Sequence, residues 1–237
     1  MWCSVSLLAA AVLIVGLGVA YALVRVTRPP RQPDAAGFDP TAISLTGVQV
    51  AQLAIGILGV LLITGEYATG MIRSSLTAVP TRLPVLRGKA IAFALTTLTL
   101  CLPATFAAFL LGQSVLSAEH LDTTVGHPGA ARAVLGAALY VSAVGLLGLG
   151  LGALLRNTAG AMAALFGLLF GLQILLGLLP GTWSDHAYRY LPTPAGAAVT
   201  TVQPDPDSLG PWSGLGLFCL YTATTMGLAA WRMRRDA

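Results

Sequence analysis

The sequence predicts an all-α membrane protein: a six-helix transmembrane bundle with a long patterned segment on one side and short helices on the other. Three observations carry this. Only 9% of the 237 residues are charged, against 56% hydrophobic, whereas soluble domains carry roughly 25% charged residues. Mean hydropathy is +0.79, so most of the surface suits lipid better than water. Six apolar runs are long enough to cross a hydrocarbon core of about 30 Å as helix: residues 4–24, 41–64, 89–112, 133–155, 158–180 and 212–231. Together they make one transmembrane domain over 1–237.

Helix is required because backbone groups in lipid must be satisfied within the segment, and no barrel-like alternation appears. No Asp, Glu, Lys, Arg or His occupies the centre of any run. Lys89 and Arg132 stand at run edges, where long side chains reach the headgroups. The first run lacks a basic leader and a small-residue cleavage site, and Arg25, Arg28 and Arg31 follow it, so it reads as a retained span rather than a signal peptide.

Arginine and lysine positions set the orientation. With the N-terminus inside, Arg73, Arg82, Arg87, Lys89, Arg156, Arg232, Arg234 and Arg235 are cytoplasmic, and Arg25, Arg28, Arg31, Arg132 and Arg189 are outside. The balance places both termini in the cytoplasm of a cell (plasma) membrane protein, although the three arginines after the first run dissent. Basic residues lie at run ends rather than along one stripe, which argues against a nucleic-acid partner. The loops at 25–40, 113–130 and 181–211 are long, whereas Arg156 and Asn157 alone join two runs. Within the last long loop, Thr193 and Pro194 predict the cap and first turn of a short helix over 195–202.

Catalytic signatures are missing from the sequence. Lys89 is the only lysine, and its neighbours do not form the phosphate-cradling loop, since Leu83 stands where glycine is needed and Ala90 follows it. His120, His127 and His186 lie in loops without a paired ligand at helical spacing. Cys3, Cys101 and Cys219 fit no zinc or redox spacing and read as small apolar packing residues. Neutral polar residues do occur in the runs: Gln49, Gln52, Ser142 and Gln173. Such groups more often join helices than bind substrate. Gly148 with Gly152, and Gly167 with Gly171, have the spacing that lets helix backbones approach closely, and Pro103 predicts a static bend.

Residues 63–89 are the informative segment. Ala68, Met71, Ile72, Leu76 and Val79 give the periodicity of an amphipathic helix. Glu66 is expected in its first turn, where the helix dipole favours an anion, and Pro80 ends it. By composition this helix either lies on the inner leaflet or docks into a cytoplasmic partner.

Glu66, Tyr67, Ala68, Thr69, Gly70, Met71, Ile72 and Arg73 resemble the EYxxGxxR signature of type-2 ABC transporter permeases, especially the actinobacterial type. The continuation from Thr77 to Arg82 fits the same pattern, as do Phe38 to Leu45, Leu110 to Gln113 and Arg132 to Gly136. The likeness runs from about residue 36 to the C-terminus. It implies the permease subunit of an ATP-driven transporter, an exporter. Glu66, Tyr67, Gly70, Met71 and Arg73 would then belong to a coupling helix seated in a separate ATP-binding subunit. The implied assembly has two permease subunits, a homo- or heterodimer, and two ATPase subunits. ATP with Mg²⁺ sits on the ATPase subunits, and no cofactor is held in this chain. The loop over 181–211 would form short re-entrant helices at the outer mouth.

Family members usually begin with a basic interfacial helix, and here the first run follows Met1 almost directly. The departure implies a start displaced by a few tens of residues at most, or a truncated copy. Two other classes stay open. A secondary carrier or channel needs a titratable residue facing the bundle interior, and a membrane-embedded enzyme needs polar residues clustered at one depth. The neutral wall of Leu, Ala and Gly suits an amphipathic cargo without identifying it.

Overall fold

The protein is described from a computed structural model that covers residues 14–21, 23–24, 39–69, 82–117, 123, 126–178, 187–202 and 208–235. Among the described residues every regular element is helical. A short α1 (Pro40–Ser44) leads into α2 (Gly47–Thr69), followed by α3 (Arg82–Leu116) and α4 (Ala130–Leu155). Next come α5 (Thr158–Phe166), a π-helical turn (Gly167–Gly171) and α6 (Leu172–Gly177). Then α7 (Pro192–Ala197) runs into a 3₁₀ turn (Ala198–Thr200), and α8 (Pro211–Arg235) follows.

Among the described residues, five stretches are long and apolar enough to cross a membrane: Gly47–Tyr67, Pro84–Leu116, Ala130–Leu155, Thr158–Gly177 and Pro211–Arg235. The chain is thus an all-α, membrane-embedded protein. Five of the six predicted runs fall on these stretches. Of the remaining run, residues 14–21 and 23–24 are helical, and the rest of 4–24 lies outside the described residues.

Burial shows which helix is central. Over an 18-residue apolar segment of each, α4 is 83% buried, against 61% for α2 and 17% across α5 and α6. Glycine and alanine make this possible, because a helix without bulk can be approached on several sides. A Cβ added at Gly148 would reach within 3.0 Å of the Gly56 carbonyl carbon on α2, and one at Gly59 would reach Leu149 N at 3.0 Å. The predicted close approach at Gly148 and Gly152 is therefore the α2–α4 contact. Gly167 and Gly171 behave otherwise: a Cβ at either meets nothing within 4 Å among the described residues, and the two bound the π turn instead.

One internal polar link crosses the same seam. The Tyr140 hydroxyl of α4 donates to Gln52 Oε1 of α2, and Gln52 Nε2 donates to Gln49 Oε1 at 3.2 Å. Both Tyr140 and Gln52 are fully buried. Ser142, by contrast, donates to Ala138 O one turn back on α4, and Gln173 donates to Leu169 O of the π turn before α6.

Large apolar side chains are exposed along the candidate spans, among them Ile91, Leu95, Ile174, Leu175 and Leu220, as a lipid surround favours. Trp212 and Trp231 are exposed near opposite ends of α8. Their spacing in sequence corresponds to roughly 28 Å of helix, close to the hydrocarbon thickness, with one aromatic near each interface.

Three boundaries differ from the sequence reading. The predicted 41–64 run is divided, because Asp39 caps a separate α1 and the chain turns at Leu45 and Thr46. α3 begins at Arg82 rather than Lys89 and runs unbroken through Pro103. Apolarity ends at the headgroups, but helical hydrogen bonding does not. The short helix is Pro192–Ala197 instead of 195–202, with Leu191 at its cap and Pro192 in its first turn. Thr193 does not cap it; its hydroxyl donates to Leu169 O at 2.6 Å, a carbonyl of the π turn.

Three of the candidate spans, Pro84–Leu116, Ala130–Leu155 and Thr158–Gly177, separate positions 74 and 205 in the sequence, and three crossings predict opposite faces of the membrane for the chain before and after them. In single-cysteine variants on intact cells, one of Ser74→Cys and Asp205→Cys should react with an impermeant thiol reagent and the other should resist it. Equal labelling of both would remove one of the three crossings.

Candidate functional site

The ends of α2, α4 and α8 and the start of α3 meet at one end of the bundle, which also carries most of the described basic residues: Arg87, Lys89, Arg156, Arg232, Arg234 and Arg235. Glu66 and Tyr67 stand in the last turn of α2 there. This corrects the expectation that Glu66 opens a separate amphipathic helix. It ends a spanning helix, where the dipole disfavours an anion. The compensation comes from α3: Lys89 Nζ forms an ion pair with Glu66 Oε2, with only 20% of the Lys89 and 24% of the Glu66 side chain exposed.

Tyr67 is held from another side. The Arg156 guanidinium lies over its ring, 5.5 Å from the centroid, within cation–π range. Arg156 is placed by the α4–α5 turn. It takes the left-handed conformation at φ 56° as the α4 cap, its N–H donating to Gly152 O at 2.9 Å. Asn157 then caps α5 by accepting from Gly160 N at 3.0 Å. The minimal turn expected from sequence is therefore two opposed caps. Arg232 of α8 donates to Leu154 O at 2.7 Å, satisfying a carbonyl that the end of α4 leaves open. Arg235 stacks on Trp231 at 4.0 Å.

Of the five residues singled out from sequence, Glu66 and Tyr67 are thus placed together and anchored to α3 and α4. Gly70, Met71 and Arg73 lie outside the described residues, as does the rest of the amphipathic segment up to position 81.

Sequence reasoning gave no role to a second cluster, at the opposite end. Asp39 Oδ1 accepts from Thr41 N at 3.0 Å and Ala42 N at 3.1 Å, capping α1, while Oδ2 accepts from Val202 N at 2.6 Å. Gln113 Nε2 donates to Pro40 O at 3.1 Å and Ser44 Oγ at 3.0 Å, and its Oε1 accepts from Thr123 N at 2.7 Å. Arg132 Nη2 donates to Thr201 O at 2.9 Å. Asp39 followed by Pro40 is a cap signature that could have placed the first of these. The others join positions far apart in sequence and leave no local signal.

Neither cluster sets a nucleophile beside a base, and no group of metal-ligating side chains occurs among the described residues. What the two ends offer is mechanical. Each ties short or terminal segments to the spanning helices through charge-assisted contacts.

No protein-family model matches this chain. No curated protein matches it either. Functional assignment therefore rests on the residues and their arrangement.

Proposed function

We propose that this chain is the permease subunit of an ATP-driven ABC transporter of the type-2 class, an exporter in the plasma membrane with both termini cytoplasmic. A separate ATP-binding subunit would dock on the basic end, and a second permease subunit would complete the pathway. The observation that carries the reading is the anchoring of Glu66 and Tyr67, which open the signature stretch, to Lys89 of α3 and Arg156 of α4. A displacement applied to the 70–81 segment would reach three spanning helices through those contacts.

Two further features support it. Residues from the stretches 38–45, 110–113 and 132–136, which extend the resemblance, gather at the other end, where Gln113 bonds Pro40 and Ser44 and Arg132 bonds Thr201. The buried segment containing α7 packs there against the π turn, as an outer re-entrant element would. The alternative, a secondary carrier or channel, would want an ionisable side chain at mid-membrane depth. Among the described residues, the buried polar side chains well inside the spans are neutral, among them Gln52, Thr97, Thr105, Ser142 and Thr222.

The test is biochemical. Purified alone, the chain should hydrolyse ATP no faster than background, because it lacks the phosphate loop. Co-expressed with a soluble ATPase encoded beside it, it should co-purify as a complex whose hydrolysis responds to the permease. Transport by the chain alone in proteoliposomes, driven by an ion gradient, would overturn the proposal in favour of a carrier.

A further inference from the structure

A groove of about 340 Å³ opens between α3 and α8 near the basic end. Its walls are Leu86, Ala90 and Ile91 from α3, and Met226, Gly227 and Ala230 from α8, with Arg87 at its rim. Both helices are candidate membrane spans, so its apolar length opens onto acyl chains rather than water. Gly227 keeps it open: a Cβ there meets nothing within 4 Å.

Charge marks one end of the groove. Arg87, Ala90 and Ile91 are spaced to share a face of α3, with Arg87 on the side of the helix start. Gly227, Ala230 and Arg234 are spaced in the same way on α8, with Arg234 toward the helix end. These helices run in opposite directions through the bundle, so both arginines stand at the same end, Arg87 beside the wall residue Leu86 and Arg234 about one turn past Ala230. Both are exposed. The neighbouring arginines are occupied, Arg232 by Leu154 O and Arg235 by Trp231. Trp231, exposed one residue past Ala230, marks headgroup depth.

We propose that this groove is a binding site for an anionic phospholipid, with one acyl chain lying between α3 and α8 and the phosphate held by Arg87 and Arg234. An apolar slot closed by two cations at the interface matches the two parts of such a lipid, and basic pockets between spanning helices are where acidic headgroups bind. The inference requires that the spans lie in a bilayer and does not depend on the permease reading.

The full chain, delipidated in detergent micelles, should rise in melting temperature with added phosphatidylglycerol and far less with phosphatidylcholine of the same chains. At about one arginine's worth of surface attraction each, Arg87→Ala with Arg234→Ala should weaken phosphatidylglycerol binding roughly thirtyfold. Gly227→Leu, which fills the slot, should abolish the difference between the two lipids while leaving the lipid-free melt near wild type. Glycerol 3-phosphate alone should not reproduce the shift; if it does, a free phosphate rather than a lipid occupies the arginines and the proposal fails. It fails equally if both lipids act alike, or if the arginine pair or Gly227 can be changed without effect. Efficient cross-linking of two copies through Gly227→Cys, undiminished by the lipid, would assign the groove to a dimer contact and overturn it.

Discussion

Gly148→Leu will destabilise the detergent-solubilised protein by about 3 kcal/mol, near the upper end of what overpacking a close-packed interior costs. The reason is what the new side chain meets. At Gly148 the neighbours are the carbonyl oxygen, carbonyl carbon and Cα of Gly56, the last two at 3.0 and 3.3 Å from an added Cβ. These are backbone atoms of α2 and cannot swing aside as a side-chain end would. Nor can α2 simply move off. A Cβ at Gly59 would meet the backbone of Gly145 and Leu149, and one at Gly152 would come within 3.0 Å of Val60 O, so the two helices touch along several turns. Separating them also pulls Gln52 from the Tyr140 hydroxyl and leaves both polar groups buried in an apolar seam.

Gly216→Leu on α8 is the matched control. A Cβ there meets nothing within 4 Å, so only helix propensity and surface change, and stability should stay within roughly 0.5 kcal/mol. Reversible unfolding in dodecyl sulfate, followed by circular dichroism, measures both. Equal midpoints for the two variants would mean that α2 and α4 are not held by backbone contact.

Gly148 also shows which features a sequence makes legible. Its spacing from Gly152 announces a close approach, and the apolar run around it announces a span, because both are local properties of one helix. The partner of that approach is not local. Nothing near Gly148 says that Gly56 and Gly59 receive it, just as nothing near Gln113 points to Pro40 and Ser44. Ends of elements were read less well than centres, for a physical reason. Hydropathy reports where lipid stops, so Lys89 reads as the edge of a helix that begins at Arg82. The π turn had no sequence signal at all. Its role emerges only with Thr193 and Gln173 both donating to Leu169 O.

Glu66 is the case in which position within an element changes the functional argument. Read as the first turn of a docking helix, its carboxylate belongs at a favourable dipole and is available to a partner. In the structure it closes α2, at the unfavourable end, and is paired to Lys89. Two roles then compete, pinning α2 to α3 or presenting a negative charge to an ATPase subunit, and reversing the pair separates them. Glu66→Lys alone sets two cations together in a site about one-quarter exposed or less. That should cost about 2–3 kcal/mol, less than the full penalty of a buried unpaired charge because water screens part of it.

Adding Lys89→Glu should recover that loss entirely. The swapped pair keeps its attraction, and the cation now stands at the C-terminal end of α2, where the dipole favours it. Capture of the ATPase subunit should not recover. If a partner cation reads the charge at position 66, reversing it removes a desolvated contact worth roughly 2–5 kcal/mol, a loss of thirtyfold or more in affinity. The measurements are the melting temperature of the purified chain and the retention of a co-expressed ATPase subunit on the immobilised permease. Should the double reversal restore stability, ATPase retention and transport together, Glu66 serves only to pin two helices. The coupling role would then rest on residues 70–81 without it.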